Sequence, residues 1–267
     1  MKLLAYFSVT LFLTAAAATQ PVYTDADLAA DVIHRALLRQ SQITSLKGDV
    51  ELTYTAGGDS QAFRVGFARV PPHKARLEIT GLLGEILFVL TADGDRMMVH
   101  SKAERKAVVC SATRDNLTAL LGMDLGGDIY QVLDWIEGRA PMYAGEVATG
   151  ETYASAEEND EGTATVTWKR RESDVPVQVL TIDPDDGRVI FSRVYDADGR
   201  AETDIYYEDF DDCGGFLMPY AVSVNREDTY LNVRFNKIKL NDEIKERAFS
   251  VEPPDGTEVF YWDDPGE

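Results

Sequence analysis

Apolar side chains recur at every second position over most of this chain, and at helical spacing over three short stretches. The first helical stretch follows Thr24, which stands three residues before Asp27 in capping-box spacing. Leu28, Val32, Ile33, Ala36 and Leu37 then recur as one face of a helix. From 46 the period changes to two. Strands are predicted over 46–54, 63–70, 75–79, 85–92 and 96–101, separated by Gly57-Gly58, Pro71-Pro72 and Asp93-Gly94. In the middle, Leu117, Leu120 and Leu121 suit a short helix after Asp115. Ile129, Val132, Leu133 and Ile136 suit another, starting near Asp128 and stopping at Gly138. Alternation resumes over 164–172, 177–183, 188–196, 201–210, 219–227 and 229–240, with a last strand at 257–262; Asp186-Gly187 and Asp198-Gly199 supply hairpin turns. The pattern predicts a mainly β, α+β domain. Its core is a strongly curved antiparallel sheet of about eleven strands, an unclosed β-barrel that the helices plug.

Three places depart from plain alternation. Positions 86–90 are apolar throughout, so both faces of that strand should be buried. Arg69 shares a face by parity with Phe63, Val65 and Phe67, and so ends an apolar face with a charge. It either snorkels at the rim or serves as a polar guidepost in an apolar cavity. Between 80 and 85, Gly81 and Gly84 bracket Leu82 and Leu83, which makes a tight loop with an apolar tip. Those leucines either turn inward as a cap or stand outward as a contact point.

The start of the chain has one lysine, an apolar run from Leu3 to Leu13 and small residues Ala15 to Ala18, the pattern of a cleaved signal peptide over 1–18. A lipid anchor would need a cysteine at the cleavage point, and the first cysteine is Cys110. The expectation is an exported, soluble, unanchored single domain over 19–267. Acidic side chains number 46 against 26 basic ones, a net charge of −20, which argues against nucleic acid and against permanent residence on anionic membrane. The segment 142–163 is acidic and poor in large apolar residues, and reads as a surface connection with room for one edge strand. Cys110 and Cys213 can form one disulfide or remain as two thiols.

Catalytic and metal-binding patterns are missing. His34, His73 and His100 stand in unrelated segments, and no nucleophile-elbow, zinc-helix or phosphate-loop motif occurs. The acidic stretches 183–187 and 196–199 lack calcium-loop spacing and suit hairpin turns. The reading is a binding protein without enzymatic activity, metal or cofactor.

Two stretches give that reading a family. RLEITGLLGEILFVLTADGDRMMVHSKAERKAV (76–108) resembles the strand, apolar loop and following strands of the bacterial outer-membrane lipoprotein receptor LolB. LLGMDLGGDIYQVLDWIEGRAP (120–141) resembles that receptor's helical segment, with Leu120, Gly122, Met123, Trp135, Gly138 and Pro141 as landmarks. FSVEPPDGTEV (249–259) is similar to the closing motif of the same LolA/LolB family. The resemblance implies an unclosed β-barrel with a helical lid over a hydrophobic cavity that takes the acyl chains of lipoproteins. Cavity-lining positions would be Phe63, Val65, Phe67, Ile86, Phe88, Leu90, Leu133 and Trp135. Leu83, with Leu82 in place of the family's proline, would be the membrane-contact tip; Arg69 would be the arginine that controls lid and ligand, although Val70 separates it from Pro71. The implied protein is a periplasmic monomer that carries or inserts acylated lipoproteins, touching the outer membrane only transiently. A chaperone for phospholipid or glycolipid and a lipid-sensing module with a protein partner are the alternatives.

Overall fold

The computed structural model describes residues 26–81, 83–139 and 151–262. The expected signal peptide, the Thr24 cap, Leu82 and the first part of the 142–163 connection lie outside the described residues. Helix α1 (Ala26–Gln42) buries Ala29, Val32, Ile33 and Ala36, whereas Leu37 is exposed and does not share the buried stripe. Six strands follow: β1 (Leu46–Ala56), β2 (Asp59–Val70), β3 (Lys74–Thr80), β4 (Ile86–Asp93), β5 (Arg96–Ser101) and β6 (Lys106–Ser111). The chain then forms α2 (Arg114–Leu121) and α3 (Ile129–Ile136) before returning to strands. These are β7 (Thr152–Glu158), β8 (Ala164–Arg170), β9 (Pro176–Ile182), β10 (Val189–Tyr195), β11 (Ala201–Asp212), β12 (Leu217–Arg226) and β13 (Thr229–Leu240), with a short β14 (Glu258–Tyr261) at the end.

All of them belong to one unclosed sheet of 14 strands, in the order β14-β6-β5-β4-β3-β2-β1-β13-β12-β11-β10-β9-β8-β7. Two antiparallel meanders, β1 to β6 and β7 to β13, are joined where β1 pairs β13, from Leu46↔Leu240 to Ala56↔Thr229. Only β14 breaks the pattern, pairing parallel to β6. The expected count of about eleven strands is low by β6, whose signal is weak, and by β7, which is the edge strand that the 142–163 connection had room for. The β5–β6 turn has no glycine or proline; Arg105 takes its left-handed position, at φ 54°. The inward face of β7 is Thr152, Ala154 and Ala156, small because α1 packs directly on β7 and β8. An alanine face gives little apolar periodicity to read.

Turn chemistry fixes how α1 docks. Gly187, in the β9–β10 turn at φ +72°, lies so close to α1 that a Cβ there would sit 2.6 Å from the Arg35 carbonyl carbon. Only glycine satisfies both the backbone conformation and the approach. Gly187→Ala is expected to cost about 2 kcal/mol or more, read as a lower midpoint in urea unfolding.

After β13 the chain crosses the outer face of the first meander. A 3₁₀ turn (Glu246–Phe249) packs on β3 and β4 with Phe249 buried, and Val251 and Val259 cover Met98, Ala107 and Val109. This cover explains why Val89, on the outer face of β4, is buried. Full burial of 86–90 on both faces does not hold, because Phe88 is 42% exposed and Ile86 and Leu87 are half-buried. Cys110 and Cys213 form no disulfide: Cys110 is buried on β6, and Cys213 follows β11 in the other meander, its Sγ 3.5 Å from the Ile238 carbonyl oxygen. The acidic stretches 183–187 and 196–199 close the β9–β10 and β10–β11 hairpins, with Asp183 and Asp196 each accepting backbone N–H bonds two residues on.

Candidate functional site

Strand parity builds a greasy wall on the concave side of the first meander. Paired registers set Val50, Val65, Ile79 and Phe88 in one lateral row, and Phe67, Leu77, Leu90 and Val99 in the next. Facing them is α3, whose apolar residues Ile129, Val132, Leu133 and Ile136 recur at i, i+3, i+4 and i+7. The helix starts where Asp128 accepts from the N–H groups of Tyr130 and Gln131 while the Gln131 side chain returns to the Asp128 N–H, a complete capping box. Leu120 and Leu121 of α2 and Met123 and Leu125 of the α2–α3 loop complete the enclosure. The space between wall and helices is about 1090 Å³, at or above the upper end of ordinary small-molecule sites, roughly 300–1,000 Å³. Polar residues Glu51, Gln61, Arg64 and Glu85 border it towards the β3–β4 turn.

That turn is the mouth. Gly84 N–H donates to the Gly81 carbonyl (3.0 Å), Gly81 N–H to the Glu85 carbonyl (2.8 Å), and the Leu83 N–H to Glu85 Oε2 (3.1 Å). So tied, the turn presents Leu83 to solvent on 94% of its surface while Leu83 still borders the cavity. The inward-cap alternative for Leu83 is thereby excluded.

Of the eight lining positions expected from sequence, Phe63, Val65, Phe67, Phe88, Leu90 and Leu133 lie on the cavity wall. Two do not. A register shift between Ile79 and Thr80 pairs Thr80 with Ile86 and takes Ile86 out of the row that Phe88 and Leu90 continue. Trp135 sits off the apolar stripe of α3, its ring under the Gly126-Gly127 turn, where a Cβ on Gly127 would lie 3.2 Å from it.

Arg69 is neither at the rim nor in the lining. It is 1% exposed beneath α3, where its Nη2 donates to Asp134 Oδ1 at 2.8 Å and its Nη1 stands 3.5 Å from Glu137 Oε2. Arg139 Nε lies 3.3 Å from the same Glu137 oxygen. Asp134, Glu137 and Tyr130 occupy the side of α3 turned from the cavity, about 100° per residue around the helix, and the Tyr130 hydroxyl donates to the Gly94 carbonyl at 2.8 Å. Burial pushes the Asp134 carboxyl up, and pushes Glu137 up to about 7 against the pull of Arg69 and Arg139. A Glu137 held above its ordinary 4.5 favours the fold most below that pH, and the contribution is lost as pH rises through about 7. Wild-type stability relative to Glu137→Gln should therefore rise by a few kcal/mol between pH 8 and pH 5, each tenfold gain in proton affinity being worth about 1.4 kcal/mol. Urea titrations of both chains at the two pH values check this.

No helix among the described residues is long and apolar enough to cross a membrane. The fold and the enclosed apolar space together define an unclosed β-barrel with an internal helical plug, and solved structures share it. A DUF1329 family protein from Desulfovibrio piger superposes with a TM-score of 0.58 at 10% identity, covering 84% of this chain and 98% of that one. A LolA superfamily protein from Nitrosomonas europaea gives 0.53 at 14% identity, over 84% of this chain and 98% of that one. A domain named for outer membrane lipoprotein sorting, from Vibrio parahaemolyticus, gives 0.54 at 8% identity, over 83% of this chain and 97% of that one. No family model matches the sequence, and no curated protein matches it. The chain has the LolA-like fold.

Proposed function

We infer that this protein is a periplasmic binding protein that shields the acyl chains of lipoproteins in its cavity and carries or inserts them at the outer membrane. The observation that carries the reading is the cavity of about 1090 Å³, walled mostly by aliphatic and aromatic side chains. Ten buried methylenes would contribute about 8 kcal/mol, at roughly 0.8 kcal/mol each, before the cost of association is subtracted. Affinity of that kind needs no catalytic group, and the role proposed is binding without turnover. Similarity in fold to LolA superfamily and lipoprotein-sorting structures supports the same reading. Leu83 at the mouth is the proposed point of membrane contact; the net charge of −20 keeps the remainder of the surface off anionic lipid. Mass spectrometry of material co-purified with the mature chain from a cell envelope tests the reading. Acylated polypeptides are expected. Phospholipid alone would redirect it to a lipid chaperone, and an empty cavity with a stoichiometric protein partner to a sensor.

A further inference from the structure

The two ends of the cavity's helical cover are fastened by different physics. At α3 the fastener is Arg69, 1% exposed against an equally buried Glu137 and a partly exposed Asp134. At the α2–α3 loop the fastener is Asp124. Alternation along this loop sends Met123 and Leu125 into the cavity lining and Asp124 the other way. There Asp124 accepts from Arg114 Nε (3.1 Å) and Nη2 (2.8 Å), from Arg226 Nη1 (2.6 Å) and from the Gly126 N–H (2.9 Å). Arg226 ends β12 and is itself held by Glu202 on β11, 2.7 Å from its Nη2. Gly126, at φ +86°, lets the loop pass so near that a Cβ would lie 2.9 Å from Arg226 Cδ.

Asp124 and Arg114 are each about 40% exposed while Arg226 is half-buried, so the carboxylate of this fastener is open to water and ions in a way that Arg69 and Glu137 are not. Partly exposed ion pairs are weak and screened by salt, whereas removing one member of a buried pair strands a charge. The geometry points to the Met123–Leu125 segment as the gate of the cavity and to Asp124–Arg226 as its latch, an assignment that rests on the acyl-chain reading above. Opening the latch frees two cavity-lining side chains while α3 stays on the sheet. The hydrogen bonds from Arg114 hold the Asp124 carboxyl well below the usual carboxylate range. The latch therefore responds to ionic strength and not to mild acid.

The test loads the full chain with an uncharged pyrene-labelled monoacylglycerol and follows its release by stopped flow at 50 and 500 mM NaCl. Release from the wild type should quicken with salt. Arg226→Met should release roughly three- to tenfold faster at low salt, the size of one or two partly exposed pairs, and should lose most of the salt dependence. Arg226→Lys should fall between. Arg114→Met reads the same latch from its other side, and the salt series on the wild type needs no variant. Bound probe whose release ignores both salt and Arg226→Met overturns the latch alone. Absence of any probe uptake by the wild type overturns the acyl-chain reading, and the latch with it.

Discussion

Arg69→Met is expected to lower stability by about 3–5 kcal/mol, the usual cost of removing one partner from a buried ion pair. The guanidinium is 1% exposed, and in its absence the Asp134 and Glu137 carboxylates would face each other under α3 with Arg139 as their nearest cation. Methionine fills similar volume, so the loss reports charge and not a void. Replacing the three groups together, as Arg69→Met, Asp134→Leu and Glu137→Met, should recover most of that loss, because well-packed apolar residues of similar size often match a buried ionic set. Urea unfolding of the two variants decides it. A single Arg69→Met change within about 0.5 kcal/mol of wild type would mean that this cluster does not hold the helix, that figure being the range of ordinary surface substitutions.

Leu83→Glu should leave folding and ligand uptake intact and reduce transfer of bound lipid to vesicles by at least about tenfold. The side chain makes almost no contact within the protein, being 94% exposed, so its replacement has little native packing to lose. Immersing one leucine in a bilayer contributes roughly 1.5–3 kcal/mol, which corresponds to a tenfold to hundredfold change in dwell time. Zwitterionic vesicles keep the added negative charge from contributing its own repulsion. Fluorescence-based transfer from loaded protein gives the rate, and a thermal melt gives the stability. Unchanged transfer, or a fall in stability of several kcal/mol, would contradict the mouth assignment.

Much of this architecture was legible in the sequence. The alternation of Phe63, Val65 and Phe67 marked a concave apolar face, and Ile129, Val132, Leu133 and Ile136 marked the helix stripe opposite it; both describe faces, and parity predicts faces well. Strand β6 was missed because the turn before it has no glycine, whereas β7 is the edge strand for which 142–163 had room, its periodicity muted by an inner face of alanines under α1. Ile86 was misplaced by a register shift that periodicity cannot foresee. Trp135, placed in the lining with the family resemblance, instead lies off the apolar stripe of α3 and underpins a glycine turn. The fasteners were the least legible. Arg69 stood out as a charge on an apolar face, but its partners lie 65 or more residues on, and Asp124 carried no local signal because Arg226 comes from the far meander, 102 positions away. The choice between a Cys110–Cys213 bond and two thiols was open for the same reason: two cysteines in one exported chain permit a bond, and only the sheet shows that they lie in different halves.

Everything proposed for this protein depends on hydrocarbon entering the space between the first meander and α3. Photocrosslinking with an uncharged diazirine-bearing monoacylglycerol, followed by peptide mapping, shows where the chain lies. Labels are expected on the peptides that carry Phe63–Phe67, Leu87–Leu90 and Ile129–Ile136, at one probe per chain, and competed by unlabelled lipid. Labelling confined to the outer face of the sheet, or labelling that unlabelled lipid fails to displace, would contradict hydrocarbon binding in the cavity.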